Sequence, residues 1–317
     1  MKVTASAAAS VSNLGPGYDV LGLCLGAPRD RVTVERTDEG NVVLVEVTGD
    51  AGQLPRAASL NCAGVAAQAV LDRFGASGAG VRLWLDKGLP LGSGLGSSGA
   101  SAVAAAVATA AVVCPEVPRI ALLEACRAGE RLATGSPHSD NVAPSLLGGL
   151  VACVPRGTAD DPEAVEIVRL PLPDGLWVAA VMPDVVVRTA DARAALPSTV
   201  PMGDVVANLG AMASLVAGLA TGDLAQVGRS LNDRIATPYR HGFIPGYEAA
   251  VSAACEAGAI GAGISGSGPT VFALAEGRVA ADAAGAAMAE VFQGLGHAAL
   301  VIVDAVDLEG ARIEGPG

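Results

Sequence analysis

The sequence predicts an α/β (α+β) fold in two domains. Segments with strand-like and helix-like patterns alternate along all 317 residues. A stretch rich in Asp, Pro and Gly at residues 155–163 interrupts them and places the boundary near residues 155–165, which predicts a first domain over residues 1–160 and a second over residues 161–317. A chain of this length is long enough to give each domain its own core.

Each predicted element follows from a local pattern. Alternation of β-branched and polar residues predicts strands, and apolar residues at helical spacing predict helices. In the first domain, the predicted strands are residues 3–11, 31–47 with a turn at 38–40, 80–85 and 149–154, and the predicted helices are 59–74, 97–113 and 117–134. In the second, the predicted strands are 177–182, 270–275 and 298–303, and the predicted helices are 202–219, 224–231, 246–257 and a segment ending at 295.

Charge and composition argue against several classes of protein. The net charge of −12 disfavours nucleic acid or an acidic membrane as the main partner. No apolar run of membrane length is expected, since the run at residues 102–113 is only about half a span, and the first residues lack the apolar core of a signal peptide. The six cysteines are dispersed without neighbouring histidines, which predicts neither a disulfide framework nor a zinc site. We therefore expect a cytoplasmic protein that binds neither nucleic acid nor a membrane.

The segment from Pro90 to Ser101 is the strongest functional signal. It contains four glycines and four serines in twelve residues, directly before an Ala/Val-rich segment that is apolar almost all round and so predicts a buried helix. Glycine lets the backbone approach a polyanion, while serine hydroxyls and free N–H groups at a helix start donate hydrogen bonds to it. The segment therefore predicts a phosphate-binding loop.

Two widespread phosphate motifs match this segment only in part. It lacks the Gly-Lys-Ser/Thr ending of a P-loop. Residues 94–99 satisfy G-x-G-x-x-G, with Glu116 as a candidate ribose-binding acid, but residues 86–90 separate the preceding strand from the turn. A dinucleotide-binding oxidoreductase is therefore an alternative with weaker support.

Two more candidate loops lie far apart in the sequence. Residues 13–19 form a turn rich in Gly and Pro that presents Asn13 and Asp19. Residues 263–270 form a second loop rich in Gly and Ser, between a helix and a strand. Taken alone, either segment is equally typical of an ordinary surface turn.

A polar cluster follows the helix predicted at residues 117–134. Glu130 lies about one turn before the end of this helix, and His138, Asp140 and Asn141 come after it. Mg²⁺ takes few protein oxygens and completes its shell with phosphate and water, so one carboxylate and one serine hydroxyl are enough. The cluster therefore suits a magnesium ligand beside groups that bind a hydroxyl-bearing substrate.

Together these segments resemble the GHMP small-molecule kinases. Residues 90–101 resemble the second motif of that family, P-x-G-x-G-L-G-S-S, and the other two loops resemble its first and third motifs in the same order. The run H-S-D-N-V-A-P at residues 138–144 is more specific and is similar to the homoserine kinases of the family. The resemblance covers nearly the whole chain. It implies an N-terminal domain of ribosomal S5-like topology and a C-terminal ferredoxin-like domain, with ATP and the acceptor between them.

The resemblance also implies roles toward ATP and Mg²⁺, the two cofactors we expect. Ser98 and Glu130 would hold the magnesium ion, and Asn61 would lie near the adenine. The phosphates would be bound by the loop residues Pro90, Leu91, Gly92, Ser93, Gly94, Leu95, Gly96, Ser97, Ser98 and Gly99.

For the acceptor, the resemblance implies L-homoserine, a zwitterion that needs an anionic group for its amine and guanidinium groups for its carboxylate. Asn141 would meet its hydroxyl. The groups near the ammonium would be Asn13 and Asp19, and those near the carboxylate would be His138, Arg188 and Arg240, with Arg234 as an alternative to Arg240.

One departure from the family pattern bears on the mechanism. Eleven residues after the magnesium glutamate, mevalonate-type relatives have an aspartate that can act as a base, whereas this chain has Asn141. We therefore expect positioning and charge neutralisation by Asn141, Glu130 and Ser98 to drive phosphoryl transfer. Asp140 would restore a base if its side chain faced the hydroxyl. Gly99, where alanine is usual, should loosen the first helix turn by under about 1 kcal/mol.

The predicted function is ATP-dependent phosphorylation of L-homoserine to O-phospho-L-homoserine for threonine synthesis. A GHMP kinase for mevalonate, shikimate or a sugar is the nearest alternative, and Asp19 with two arginines favours a zwitterion over a sugar. From other classes, the missing dinucleotide layout disfavours an NAD-binding oxidoreductase, and Glu130 and Ser98 disfavour a non-catalytic ligand-binding relative. A homodimer is compatible with the sequence.

Overall fold

Two β-sheets with helices packed on them form the chain, as seen in a computed structural model that describes residues 1–75, 78–158 and 164–314. Within those ranges the first sheet has seven strands and the second has four. The domain boundary predicted between residues 160 and 161 lies outside the described residues. The mixed α/β class expected from the sequence is confirmed.

The first sheet takes strands from both ends of the chain. Its strands are β1 (Lys2–Ser12), β2 (Leu21–Thr37), β3 (Val42–Thr48), β4 (Gly80–Asp86), β5 (Leu150–Pro155), β6 (Val165–Leu170) and β11 (Arg312–Glu314). The order is β11-β1-β2-β4-β3, while β5 pairs with the start of β2 and with β6. β4, which precedes the phosphate loop, is antiparallel to β2. A dinucleotide fold is built on a parallel sheet, whereas β3–β4 is the one parallel pair among the described strands of this sheet, so that alternative is wrong.

Four helices cover the first sheet. They are α1 (Cys62–Phe74), α2 (Ser97–Val113), α3 (Leu123–Thr134) and α4 (Ser139–Leu147). α2 packs on β1 and β2 and contacts the other three helices. Fourteen of its seventeen residues are buried, because alanine lets neighbouring backbones approach from every side. The predicted buried helix is confirmed, and its N-terminus lies at the phosphate loop.

The second sheet is antiparallel throughout. In spatial order its strands are β10 (Ala299–Ala305), β7 (Leu176–Pro183), β9 (Val271–Glu276) and β8 (Gly261–Ile264). Helices α9 (Tyr247–Glu256) and α10 (Gly277–Gly294) pack on it. The connection from β7 to α9 contains α5 (Thr189–Ala194), α6 (Met202–Thr221), α7 (Leu224–Ser230) and α8 (Thr237–Arg240).

The larger hydrophobic core joins the two sheets. Leu176 and Val178 of β7, and Leu215 and Leu219 of α6, belong to the same buried cluster as the residues of β1 and α2. A second, smaller core lies between the second sheet and its helices, around Phe292. Because one core spans both sheets, the loops at their junction have fixed relative positions.

Several elements differ from their predicted bounds. β2 begins ten residues earlier than predicted, because Gly22, Gly26 and Pro28 interrupt the alternation that marks a strand. The helix expected from residue 117 begins at Leu123, since Pro118 is extended and a 3₁₀ turn follows it. α4 was not predicted because it is short and contains a proline.

α6 corrects one expectation from composition. It is long and apolar enough to cross a membrane by length and composition, so the expectation that no apolar segment reaches that length does not hold here. One side of α6 is buried through Asn208, Leu215 and Leu219. On another side Met202 and Leu209 are largely exposed.

Candidate active site

One cavity of about 450 Å³ lies at the junction of the two sheets. All three glycine-containing loops predicted from the sequence contribute to its wall. Asn13 and Asp19 line it from the first loop, residues 91–94 and 96–98 from the phosphate loop, and Gly266 and Ser267 from the third.

The phosphate loop has the backbone that an anion site needs. Gly92, Gly94 and Gly96 have φ values of 63°, 76° and 68°, which favour glycine. A Cβ on Gly94 would lie 2.7 Å from the carbonyl oxygens of Ser265 and Gly268, so the third loop leaves room only for glycine. α2 begins directly after Gly96, and no side chain caps its first N–H groups. Those groups and the helix dipole are thus directed at the part of the cavity that the phosphate loop lines.

Two side-chain hydrogen bonds fasten the third loop to the phosphate loop. The Ser265 hydroxyl donates to the Gly94 carbonyl oxygen at 2.7 Å, and the Thr270 hydroxyl donates to the Ser93 carbonyl oxygen at 2.6 Å. Ser265 and Thr270 are fully buried. The two loops therefore form one rigid wall, which we call the loop clasp.

Asn13 connects the first loop to the third. Its Nδ2 donates to the Gly266 carbonyl oxygen at 2.8 Å, and its Oδ1 accepts from the Asp19 backbone N–H at 3.0 Å. Both ends of the amide are thus engaged by the chain. Asn13 lies in the cavity as predicted, where it positions Asp19.

Ser98 and Glu130 meet at the start of α2. The Ser98 hydroxyl donates to Glu130 Oε2 at 2.6 Å, and Glu130 is only 2% exposed. Burial raises the pKa of Glu130 to about 7, although the Ser98 hydrogen bond acts in the opposite direction.

This pair fits a magnesium ion bound together with phosphate. A buried carboxylate is costly unless a cation offsets its charge, and a divalent ion beside Glu130 would do so. Among the residues that the structure describes, no group of three or more His, Cys, Asp or Glu side chains could hold a metal alone. Mg²⁺ needs only one or two protein oxygens when phosphate supplies the others.

Lys87 is a cavity residue that the sequence analysis missed. Its buried Nζ forms an ion pair with Asp30 and donates to the Ser97 hydroxyl at 2.8 Å and the Ser101 hydroxyl at 3.0 Å. It thus supports the first turn of α2 from below. The sequence does contain a signal for this residue: Lys87 is one of only two lysines and follows the strand before the phosphate loop.

A cluster of opposite charges lines the cavity around Asp19 and His138. Arg193 forms an ion pair with Asp19 at 3.0 Å, and the same nitrogen contacts His138 Nε2. Burial lowers the pKa of His138, so its ring is neutral and Nε2 accepts from Arg193. The proton then resides on Nδ1, which lies 3.2 Å from the Thr134 hydroxyl.

Arg240 lies beside this cluster and is nearly buried. Its Nε donates to the Ala192 carbonyl oxygen at 3.2 Å, and one terminal nitrogen donates to the Gly266 carbonyl oxygen at 3.0 Å. The guanidinium also stacks over the Tyr18 ring, 5.0 Å from its centroid. Arg240 is thus fixed in the cavity wall, whereas its alternative Arg234 is exposed and outside that wall.

Asn141 and Asp140 enter the cavity from the first turn of α4. Asn141 Oδ1 accepts from the Ser10 hydroxyl at 3.0 Å. Asp140 is 2% exposed, and within the described ranges its Oδ1 has no hydrogen-bond partner. Burial, and then the charges of Asp19 and Glu130, raise the pKa of Asp140 to about 7.

Some predicted site residues lie elsewhere or are otherwise engaged. Arg188 is exposed at the start of α5 and is not part of the cavity wall, which Arg193 reaches from one turn further along. Asn61 lines the cavity, but its Oδ1 caps α1 and its Nδ2 donates to a backbone carbonyl. Pro90, Leu95 and Gly99 are not part of the cavity wall.

Comparisons with known proteins agree with this geometry. The models of the GHMP kinase N-terminal and C-terminal domains match residues 61–149 and 215–294. The homoserine kinase of Pyrococcus furiosus is 41% identical over 93% of this chain and 94% of its own length. That of Arabidopsis thaliana is 40% identical over 99% of this chain and 85% of its own. The chain belongs to the homoserine kinase family of GHMP kinases.

Solved structures confirm the GHMP kinase fold. The homoserine kinase of Cytophaga hutchinsonii superposes with a TM-score of 0.92 at 38% identity, covering 99% of this chain and 97% of that one. A mevalonate kinase from L. major in complex with R-mevalonate has a TM-score of 0.71 at 16% identity, covering 95% of each chain. The latter likeness concerns the fold alone.

Glu130→Gln tests, through both stability and activity, whether Glu130 belongs to a metal site. Because the pKa of Glu130 is raised from 4.5 to about 7, its ionisation lowers stability as the pH rises through that interval, and the penalty persists above it. Without Mg²⁺ at about pH 8, we expect Glu130→Gln to raise the Tm in a thermal melt. In the presence of Mg²⁺ and substrates, turnover should fall at least about 100-fold.

Glu116→Gln is the matched control, since Glu116 is exposed on the surface. It should change neither the Tm nor turnover. Near-normal turnover of Glu130→Gln would remove Glu130 from the metal site.

Proposed function

We propose that this chain transfers the γ-phosphoryl group of ATP to the hydroxyl of L-homoserine, giving ADP and O-phospho-L-homoserine for threonine synthesis. The homoserine kinases that it resembles over most of their length support this acceptor. The observation that carries the proposal is one cavity with two ends. The Ser98–Glu130 pair and the phosphate loop form one end, and the Asp19–Arg193 pair forms the other.

The phosphate end suits ATP with Mg²⁺ held by Ser98 and Glu130. When bound, Mg²⁺ would neutralise charge on the phosphate oxygens during transfer. The loop amides and the first N–H groups of α2 donate to the same oxygens. Lys87 adds a positive charge beneath that turn, although its ammonium is largely offset by Asp30.

The acceptor end suits a zwitterion because it already contains matched opposite charges. The side chains of Asp19 and Arg193 are 38% and 40% exposed, and such pairs contribute about 1 kcal/mol or less. An amino acid can therefore replace the pair at low cost. Its ammonium would bind Asp19, and its carboxylate would bind Arg193 and Arg240, through charge-assisted hydrogen bonds.

The reaction needs the acceptor hydroxyl in line with the γ-phosphorus. A new P–O bond forms to that oxygen as the bond to the β-phosphate oxygen breaks and releases ADP. Asn141 cannot accept the proton, but its amide group can orient the hydroxyl. The proton then has two routes, to the transferred phosphate and solvent, or to Asp140, whose pKa of about 7 suits a base.

A cytoplasmic location is part of this proposal. In the described structure all six cysteines are free thiols, as is usual in a reducing compartment.

A substrate panel tests the acceptor. Purified protein with ATP should release ADP only when Mg²⁺ and L-homoserine are both present. Mevalonate, shikimate and sugars lack the ammonium and carboxylate pair that the cavity matches, so they should give little turnover. Equal turnover with one of them and none with homoserine would refute the assignment.

Arg193→Met tests the carboxylate site, with Arg188→Met as its matched control on the same helix segment. Loss of a charge-assisted hydrogen bond costs about 1.5–3 kcal/mol, so the homoserine KM should rise about 10- to 100-fold. The ATP KM should change far less. Arg188→Met should leave both KM values near those of the unmodified protein. The opposite result, with Arg188 rather than Arg193 controlling the homoserine KM, would restore the original sequence prediction.

A further inference from the structure

A further part of the cavity wall is apolar and half open to solvent, and we call it the base wall. It consists of Leu54, Pro55, Leu60, Leu132 and Ala133. Leu60 and Leu132 are 60% and 41% exposed. Once the phosphate loop binds the phosphates of ATP and the Asp19–Arg193 pair binds the acceptor, as proposed above, the base wall is the part of the cavity left for the base.

The N–H groups on the loop side of the base wall are already engaged. Pro55 has no N–H group. That of Leu54 donates to Asp50 Oδ2 at 2.9 Å, and that of Leu60 donates to the Ala57 carbonyl oxygen at 3.0 Å. Adenine has an acceptor at N1 where guanine has an N–H group, so a protein donor at this point is what would select adenine over guanine. Within the described structure, these three residues offer none.

The helix side of the base wall is engaged in the same way. Leu132 and Ala133 lie within the last turn of α3, where each N–H group donates to the preceding turn. The hydroxyl of the next residue, Thr134, donates to a backbone carbonyl oxygen at 2.7 Å. This side therefore presents apolar surface to a base.

The polar side chains beside the base wall are also occupied. Both ends of the Asn61 amide bond to the backbone, one of them to the Pro55 carbonyl oxygen. The Nζ of Lys87 is held by Asp30 and by two serine hydroxyls. Cys62 has a thiol, which is a weak hydrogen-bonding group. A strong side-chain contact to the edge of a base is thus unavailable from these three residues.

Asp50 keeps the loop side of the base wall in this arrangement. Its carboxylate is 3% exposed and accepts N–H groups of Gly52 and Leu54 at 3.2 and 2.9 Å. Two nitrogens of Arg56 also donate to it, at 2.7 and 3.2 Å. Because these four bonds hold the loop from both sides, its N–H groups are not released to read a base. The wall therefore selects by shape and apolar area.

The exposure of the base wall removes the other source of discrimination. A site rejects the wrong base strongly when binding leaves buried polar groups without partners. Leu60 and Leu132 are open to water, so a base that lies on them keeps its polar edge hydrated. Neither the amino group of adenine nor the oxo group of guanine then loses its hydrogen bonds.

We propose that this kinase accepts purine nucleoside triphosphates as a class, with GTP as a phosphoryl donor beside ATP. The reaction is otherwise unchanged: the P–O bond to the acceptor oxygen forms as the bond from the γ-phosphorus to the β-phosphate oxygen breaks, and GDP leaves. CTP is a poorer donor, because its single ring covers less of the base wall.

A donor panel with L-homoserine and Mg²⁺ tests the proposal. The kcat/KM for GTP should lie within about tenfold of that for ATP, whereas a site that reads its ligand by hydrogen bonds rejects the wrong one by about 10⁴-fold or more. The kcat/KM for CTP should lie at least about tenfold below that for ATP. Isothermal titration calorimetry with ADP and GDP gives a second measurement that needs no acceptor, and their Kd values should also agree within about tenfold.

Leu60→Ala tests whether the base wall holds both purines. It removes apolar contact without touching a polar group, so the KM values for ATP and GTP should rise by the same factor, at least about threefold. The homoserine KM should not change. Ile120→Ala is the matched control, because Ile120 is also an exposed apolar residue but is not part of the cavity wall. It should leave all three KM values unchanged.

Several results would overturn the proposal. They are a kcat/KM for GTP more than about tenfold below that for ATP, GDP binding more than about tenfold weaker than ADP, CTP as good a donor as GTP, or a Leu60→Ala variant that affects ATP alone. A protein that does not turn over ATP with homoserine would refute the proposed function instead, and the ADP and GDP affinities would still decide this inference.

Discussion

The loop clasp is the contact on which the rest of the site depends. Ser265 and Thr270 donate to the carbonyl oxygens of Gly94 and Ser93, and Gly94 allows this approach because it has no Cβ. The clasp joins a loop of the second sheet to a loop of the first. It thereby fixes the distance between the phosphate end and the acceptor end, since Gly266 of the same third loop holds Asn13 and Arg240.

Electrostatics then distinguishes the two ends of the cavity. At the phosphate end, Glu130 is buried with a raised pKa, so its ionised form is favourable only with a cation beside it. At the acceptor end, Asp19 and Arg193 are already paired and partly exposed, so a zwitterion can take the place of each partner. Asp140 lies between the two ends and is disfavoured as an anion by both Glu130 and Asp19. The proposed binding of a metal-nucleotide and an amino acid to this cavity would leave no net excess of buried charge.

The sequence predicted what depends on short, local patterns. Glycine spacing predicted the phosphate loop, and the family resemblance predicted roles for Ser98, Glu130 and Asn141, all of which line the cavity. Arg193 rather than the predicted Arg188 lines the cavity, because the choice between two arginines five residues apart depends on how α5 is oriented. Lys87 was missed because its role arises only when β4 is brought beneath α2. Both positions depend on tertiary packing, which local patterns do not encode.

The most direct test of the central claim is the kinetics of Thr270→Val, compared with Thr109→Val. Thr109 is equally buried but its hydroxyl has no partner in the described structure, so its loss should change little. An unpaired buried carbonyl at Ser93 costs about 1–3 kcal/mol, and the clasp account predicts that kcat/KM for ATP and for homoserine fall together, about tenfold or more. A Thr270→Val enzyme with both values unchanged, or with only one reduced, would contradict the claim that a single clasp positions both substrates.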